Sequence, residues 1–215
     1  MTDLLSLLNK MSFSELYDLN YDTDILEKYL NEIYKNLKKD NIVIDAGCGT
    51  GLFSKNLEKK SSIVYGLDND EEMLNFASKR LKNTKLIEHD LRNPWPIYGD
   101  FIIMMNDVIN YFEKPLKVIE NAINSLNDNG IIIFDIYNNP KSYIQKNQEG
   151  IIFHWKRTVR FKKINHLVRY KEKEYSVVQY IHNIKKIVRY LRLKGFRVNM
   201  ISKLVPEKVL IVAEL

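Results

Sequence analysis

Apolar positions recur along the chain with two alternating periods. Over residues 23–38, Ile25, Leu26, Tyr29, Leu30, Ile33 and Leu37 repeat at three- and four-residue steps. That spacing predicts a helix with one buried face, capped by Asp22 or Thr23. Asn41–Ala46 (NIVIDA) is a short, mostly apolar run of the kind buried on both faces of a parallel sheet. The same exchange continues with a helix near Leu52–Lys60, a strand at Ile63–Leu67, a helix from Asp70 carrying Met73, Leu74, Phe76, Ala77 and Leu81, and a strand at Lys85–Glu88. Beyond the proline-broken loop Asn93–Pro96, Phe101–Met105 predicts a fourth strand and Pro115 the first turn of a helix. Asp128-Asn129-Gly130 predicts a turn before a fifth strand, Ile131–Ile136. Strands and helices in this alternation predict an α/β fold with a parallel sheet covered on both faces.

The texture changes at Gly150. Three β-type runs follow with no helix between them: Ile151–Arg160, Leu167–Lys173 and Tyr175–His182. They predict an antiparallel addition over residues 150–182, set within one domain spanning 1–215. A helix from Asn183 to Lys194 ends at Gly195, and Phe196–Lys203 with Lys208–Glu214 predicts a last strand pair turned at Val205-Pro206-Glu207.

Composition narrows the classes. With 215 residues and 45% hydrophobic content, the chain can bury one full-sized core. No stretch reaches the roughly 18 apolar residues of a membrane span, and the start MTDLLSLLNK lacks the basic region of a signal peptide. Cys48 is the single cysteine, so no intrachain disulfide forms; a cytoplasmic location without a membrane partner is expected. His89, His154, His166 and His182 show no metal-ligand spacing, and no metal is expected. The net charge of +6 is uneven: residues 1–140 carry 15 Lys and Arg against 22 Asp and Glu, residues 141–215 carry 18 against 5. A basic segment on an acidic body can steer an anion or nucleic acid, or can simply solvate exposed strands. Strand alternation puts Lys156 and Arg157 on opposite faces, so at most one of them can point inward.

The chemical signal lies in Val43–Gly51 (VIDAGCGTG). Glycines at 47, 49 and 51, between a strand and a helix, let backbone approach a ligand beside unpaired helix N–H groups. The dinucleotide fingerprint places its third glycine one residue later, where this chain has Leu52. Asp45, an acid just before the loop, suits an ammonium better than a pyrophosphate. Asp68 ends the next strand and can accept from two ribose hydroxyls. Asp90 ends the third, placed to accept from an exocyclic amine. Three acids at successive strand ends map to the crevice where open α/β sheets bind ligands.

With VIDAGCGTG, YGLDND followed by EEML, IEHD, and the terminal GFRV and KVLIVAEL, the chain resembles the class I S-adenosylmethionine-dependent methyltransferases. The resemblance covers roughly residues 40–140 and the last 30. It implies a Rossmann-like seven-stranded sheet whose last strand is inserted antiparallel, with S-adenosylmethionine as cofactor and S-adenosylhomocysteine as product. The cofactor residues it implies are Asp45, Ala46, Gly47, Cys48, Gly49, Gly51 and Leu52, then Asp68, Asn69 and Met73, then Asp90, Leu91 and Asn106. Phe13–Asp18 (FSELYD) is similar to the leading segment of bacterial small-molecule enzymes of the glycine N-methyltransferase type, which also carry an antiparallel addition over the active site. In that group a Tyr of this segment approaches the cofactor; here it is Tyr17.

Methyl transfer from a sulfonium is an in-line displacement that depends chiefly on alignment and exclusion of water. Where the acceptor arrives protonated, the candidate base is Asp107 in Met105–Tyr111 (MNDVINY), which can equally cap a short helix. His154 on the first added strand can face a substrate or be an ordinary strand residue. The segment lacks the Asn/Asp-Pro-Pro-aromatic pattern of adenine and cytosine amino methyltransferases. Cys48 lies in the glycine loop, not where a C5-cytosine nucleophile belongs. These readings predict a small-molecule methyl acceptor, at nitrogen or oxygen. An RNA methyltransferase using the basic C-terminal region, and an S-adenosylmethionine-binding protein without turnover, are the alternatives.

Overall fold

The computed structural model describes residue 18 and residues 21–61, 63–148, 151–170 and 173–215, with backbone alone for 143–148, 151–155, 170 and 173. Among these residues eleven strands occupy two sheets: β1 Ile42–Ala46, β2 Ile63–Asp68, β3 Lys85–Glu88, β4 Gly99–Met104, β5 Leu126–Tyr137, β6 Tyr143–Gln148, β7 Ile151–Arg160, β8 Lys163–Tyr170, β9 Lys173–Tyr180, β10 Arg197–Ile201 and β11 Lys208–Glu214. Five α-helices among the described residues accompany them: α1 Thr23–Asn36, α2 Leu52–Leu57, α3 Glu71–Arg80, α4 Pro115–Asn124 and α5 Ile184–Leu193.

The larger sheet has the order β10-β11-β5-β4-β1-β2-β3. Strands β1 to β5 are parallel, and β11 inserts antiparallel between β5 and β10, the arrangement the resemblance implies. Successive residues of each strand point to opposite faces. In β1, Val43 meets the core under α1 and α2, with Tyr29, Ile33, Phe53 and Leu57; its neighbour Ile44 meets the core under α4 and α5, with Ile119, Leu191 and Ile211. All of these are fully or almost fully buried. Strand order reverses between β1 and β4, which opens a crevice at their carboxyl ends.

Asp128-Asn129-Gly130 is not the turn expected ahead of the fifth strand. Strand β5 begins at Leu126, and its register against β4 shifts from Gly99↔Leu126 to Phe101↔Ile131. The three turn-forming residues lie in the bulge, where Asn129 takes a left-handed φ of 58°.

The second sheet, β6-β7-β8-β9, is antiparallel throughout. It holds four strands rather than three, because β6 (YIQKNQ) pairs with β7 without any apolar alternation to announce it. Phe161 and Lys162, with φ of 50° and 62°, turn β7 into β8 as a two-residue hairpin, although neither is a residue that favours such a turn. One face of this sheet buries Arg157, Ile164, His166, Val168 and Gln179; Lys156, Arg160, Lys163 and Arg169 are exposed on the other.

Candidate active site

A cavity of about 490 Å³ lies at the crevice. Its wall runs from Asp90, Leu91 and Arg92 after β3, past Asp68, Asn69, Asp70 and Met73 after β2, and past Asp45, Gly47, Cys48, Gly49, Thr50, Leu52 and Phe53 after β1. It ends at Met105, Asn106, Val108, Tyr111 and Phe112 after β4, with Val177 of β9 contributed by the second sheet.

The glycine loop is shaped by contacts that a side chain would prevent. Gly47 has φ of 76°, and a Cβ there would stand 2.6 Å from Val108 Cγ2. Gly49 has φ of 51°, but a Cβ would meet nothing within 4 Å. Its bare backbone faces open space in the cavity wall. Gly47→Ala therefore combines left-handed strain with a clash and is expected to cost about 2–3 kcal/mol of stability, against about 1–2 kcal/mol for Gly49→Ala. Urea unfolding of the two variants measures the difference; equal losses would mean that Val108 yields without cost.

Asp68 joins the end of β2 to this loop. Its Oδ2 accepts from the Gly49 N–H at 2.7 Å and its Oδ1 from the Asp70 N–H at 3.0 Å. The Asn69 N–H also bonds this carboxylate, which with about four acceptor positions still has capacity for a ligand hydroxyl. Burial pushes the Asp68 carboxyl above its usual range. Asp45 is buried, accepts from Ser54 Oγ at 2.6 Å, and is pushed up by that burial to about 7. Burial, with Asp45 and Asp68 nearby, also pushes the Cys48 thiol up, which keeps it protonated and poorly nucleophilic. At the far end, Arg92 Nε lies 2.9 Å from both oxygens of Asp90 and holds its carboxyl below the usual range.

The wall after β4 is a strained corner. Asn106 and Asp107 both take left-handed φ, 62° and 65°. Asn106 Oδ1 accepts from the Tyr21 hydroxyl at 2.5 Å. The Asp107 N–H donates to Asp135 Oδ1 at 3.0 Å, and Tyr29 donates to Asp135 Oδ2 at 3.0 Å. Lys208 Nζ sits between the two carboxylates, 2.8 Å from Asp107 and 3.2 Å from Asp135.

Most of the residues singled out from the sequence converge on one cavity. Asp45, Gly47, Cys48, Gly49, Leu52, Asp68, Asn69, Met73, Asp90, Leu91 and Asn106 all line it. Ala46 is fully buried beneath it, and Gly51 packs beside Leu81 at the start of α2; neither is part of the wall. Asp107 precedes the short 3-10 turn Val108–Tyr111 without a side-chain cap, and it too is absent from the wall. Tyr17 lies outside the described residues. His154 lies in β7, but its side chain is outside what is described. Nothing in the sequence pattern marks Thr50, Phe53, Asp70, Arg92 or Phe112 as site residues. Met105, Val108 and Tyr111 sit in the MNDVINY segment with no pattern that gives them a role, and Val177 carries no signal at all.

Against known proteins, residues 37–192 match the family described as "Methyltransferase domain". The chain belongs to the methyltransferase-domain family. Among curated proteins, this methyltransferase domain is 27% identical over 158 residues to YqeM of Bacillus subtilis, whose own methyltransferase assignment is provisional. That match covers 66% of this chain and 64% of YqeM. It is also 27% identical over 140 residues to the ubiquinone biosynthesis O-methyltransferase of Nitrosomonas europaea, covering 61% of this chain and 57% of that protein. The chain thus spans less than two thirds of the length of either relative. Among solved structures, an S-adenosylmethionine-dependent methyltransferase from Clostridium acetobutylicum superposes with a TM-score of 0.75 at 19% identity, covering 94% of this chain and 96% of that one. CalS10, an amino pentose methyltransferase from Micromonospora echinaspora, superposes at 0.76 and 17%, covering 95% and 98%. At these identities the superpositions establish the shared fold.

Proposed function

We propose that this methyltransferase binds S-adenosylmethionine along the β1–β3 half of the cavity and methylates a nitrogen or oxygen of a small molecule held at the β4 half. One observation carries the reading: a single cavity runs from the bare Gly49 backbone and Asp68 to Tyr111, Phe112 and Val177 under the second sheet. Its volume lies within the ~300–1,000 Å³ usual for small-molecule sites. The residues suit the cofactor chemically. Asp68 keeps acceptor capacity for a ribose hydroxyl, Asp45 stands where an ammonium would draw its proton off, and Met73 and Asp90 flank the place for an adenine.

When bound, S-adenosylmethionine supplies a methyl group on a positively charged sulfur, ready for in-line displacement. The chain's own residues supply alignment and a dry site. The glycine loop leaves space for close approach, Asn106 presents a fixed amide at the junction of the two halves, and Val108, Phe112 and Val177 exclude water. Asp107, turned to Lys208, fixes the corner rather than reaching the acceptor. Tyr17 is proposed to complete the wall from the leading segment, whereas His154 alternates with Arg157 onto the face of β7 that carries Lys156.

Exposed cations on the second sheet do not favour the RNA reading. Lys156, Arg160 and Lys163 lie on the face away from Arg157, His166 and Gln179, while the inward Arg157 is paired with Glu207.

Calorimetric titration tests the cofactor assignment. S-adenosylhomocysteine is expected to bind in the micromolar range, and NAD not at all. Heat with NAD and none with S-adenosylhomocysteine would falsify it. A panel of small amines and hydroxyl compounds, read by S-adenosylhomocysteine release, then separates an enzyme from a binding protein without turnover.

A further inference from the structure

Two adjacent residues, the last of a turn and the first of β11, hold the two sides of the acceptor half. Glu207 has a left-handed φ of 60°, and its carboxylate is the partner of the buried Arg157 guanidinium of β7. Arg157 also donates from Nε to the Lys141 carbonyl at 2.7 Å, and the Lys141 N–H donates back to Glu207 Oε1 at 3.0 Å. These bonds close a ring joining β7, the segment before β6 and the turn. The next residue, Lys208, points the other way, between Asp107 and Asp135. The Tyr137 ring lies between the two cations, 5.4 Å from Lys208 Nζ and 5.8 Å from Arg157 Cζ. A second tie joins the corner to the end of the added sheet. Asn110 Nδ2 donates to the Tyr180 carbonyl at 2.7 Å, and Asn110 Oδ1 accepts from the Tyr137 N–H at 3.3 Å.

We infer that Glu207 and Lys208 are a pair of positioning residues that lock the added sheet and the Asn106–Asp107 corner to each other, so that the roof and the floor of the acceptor half open and close together. The inference rests on the proposed function for its meaning, but the lock itself can be tested without an acceptor. The turn is one short path by which a shift of β7 reaches the corner, beside Tyr137, whose ring lies against Arg157 and whose hydroxyl bonds Asp107, while Asn110 acts at the β9 end. Packed interfaces of this kind move as units.

Hydrogen exchange read by mass spectrometry on the full chain tests it, with S-adenosylhomocysteine affinity measured alongside. Glu207→Gln keeps the shape of the side chain and removes its charge. Because charge-assisted Arg–carboxylate bonds are the strong ones, amide exchange in residues 156–169 is expected to rise by about tenfold. The same variant should raise exchange at 105–111, where the Asp107 N–H bond sits, and leave β1–β3 and S-adenosylhomocysteine affinity unchanged. Arg157→Gln, made from the other side, should give the same pattern, and the double variant no more than either single one. It also serves if Glu207→Gln does not fold. Unchanged exchange, a rise confined to the added sheet, or a uniform rise with a lowered melting temperature would each overturn the lock. Failure of the wild type to bind S-adenosylhomocysteine would instead overturn the cofactor reading, and the exchange pattern would still decide this one.

Discussion

Lys208→Met is expected to lower the stability of the protein by about 3–5 kcal/mol at pH 7, the range found when one partner of a buried ion pair is removed. The lysine stands between Asp107 and Asp135, the second of which is fully buried. The two carboxylates hold its ammonium well above the ordinary lysine range despite burial, so its contribution is complete below that range and is lost only at strongly alkaline pH. Burial already pushes the Asp135 carboxyl up, and Lys208 opposes that rise. Without the lysine, ionised Asp135 is destabilising and protonates more readily in the folded than in the unfolded chain. The deficit of Lys208→Met should therefore shrink as pH falls from 7 towards 5, because the carboxyl then takes up a proton. Urea unfolding of wild type, Lys208→Met and Lys208→Arg at pH 7 and pH 5 measures this, with the arginine recovering part of the loss. A deficit below about 1 kcal/mol, typical of exposed pairs, or one that does not change with pH, would show that the two carboxylates do not depend on Lys208.

Asp68→Ala is expected to reduce S-adenosylhomocysteine affinity by about 2–4 kcal/mol, roughly 30- to 1,000-fold, while the protein stays folded. Two losses add. The ligand hydroxyls lose a charged acceptor, and the Gly49 and Asp70 N–H groups lose the oxygens that fix the loop. Since burial raises the Asp68 carboxyl, wild-type affinity should weaken as pH falls through that raised value, and the alanine variant should lack this component. Calorimetry across pH resolves it, and a variant binding within threefold of wild type would remove Asp68 from the ribose.

The parts of the molecule legible in the sequence are those set by local physics. The 47/49/51 glycines, the strand-terminal acids and the helix caps Asp22, Asp70 and Asn183 each leave a short-range trace, and the structure places caps and strands where that trace lies. Illegible features depend on residues far apart. Nothing near Lys208 in sequence reveals Asp107 and Asp135, and the partner of Arg157 is Glu207, so the one cation of the Lys156-Arg157 pair that points inward is already engaged within the protein. Strand β6 was missed because its residues do not alternate, and β8 starts earlier than expected because the Phe161–Lys162 hairpin uses atypical turn residues. Val177 reaches the cavity only because the second sheet folds over the first.

The inserted strand also has a bearing on how the chain comes into being. Residues 131–137 of β5 pair with residues 208–214 at seven consecutive positions, and Val209 to Ala213 are buried there. During synthesis β5 is made more than 70 residues before its antiparallel neighbour. Until Lys208–Glu214 leave the ribosome, the apolar stretch IIIFDI keeps one open edge, a template for pairing with another chain. The positive charge that balances Asp107 and Asp135 arrives in that same late segment. Completion of the sheet and neutralisation of the two acids are therefore one event, and release of a chain cut short before residue 208 should yield aggregate rather than a smaller folded protein.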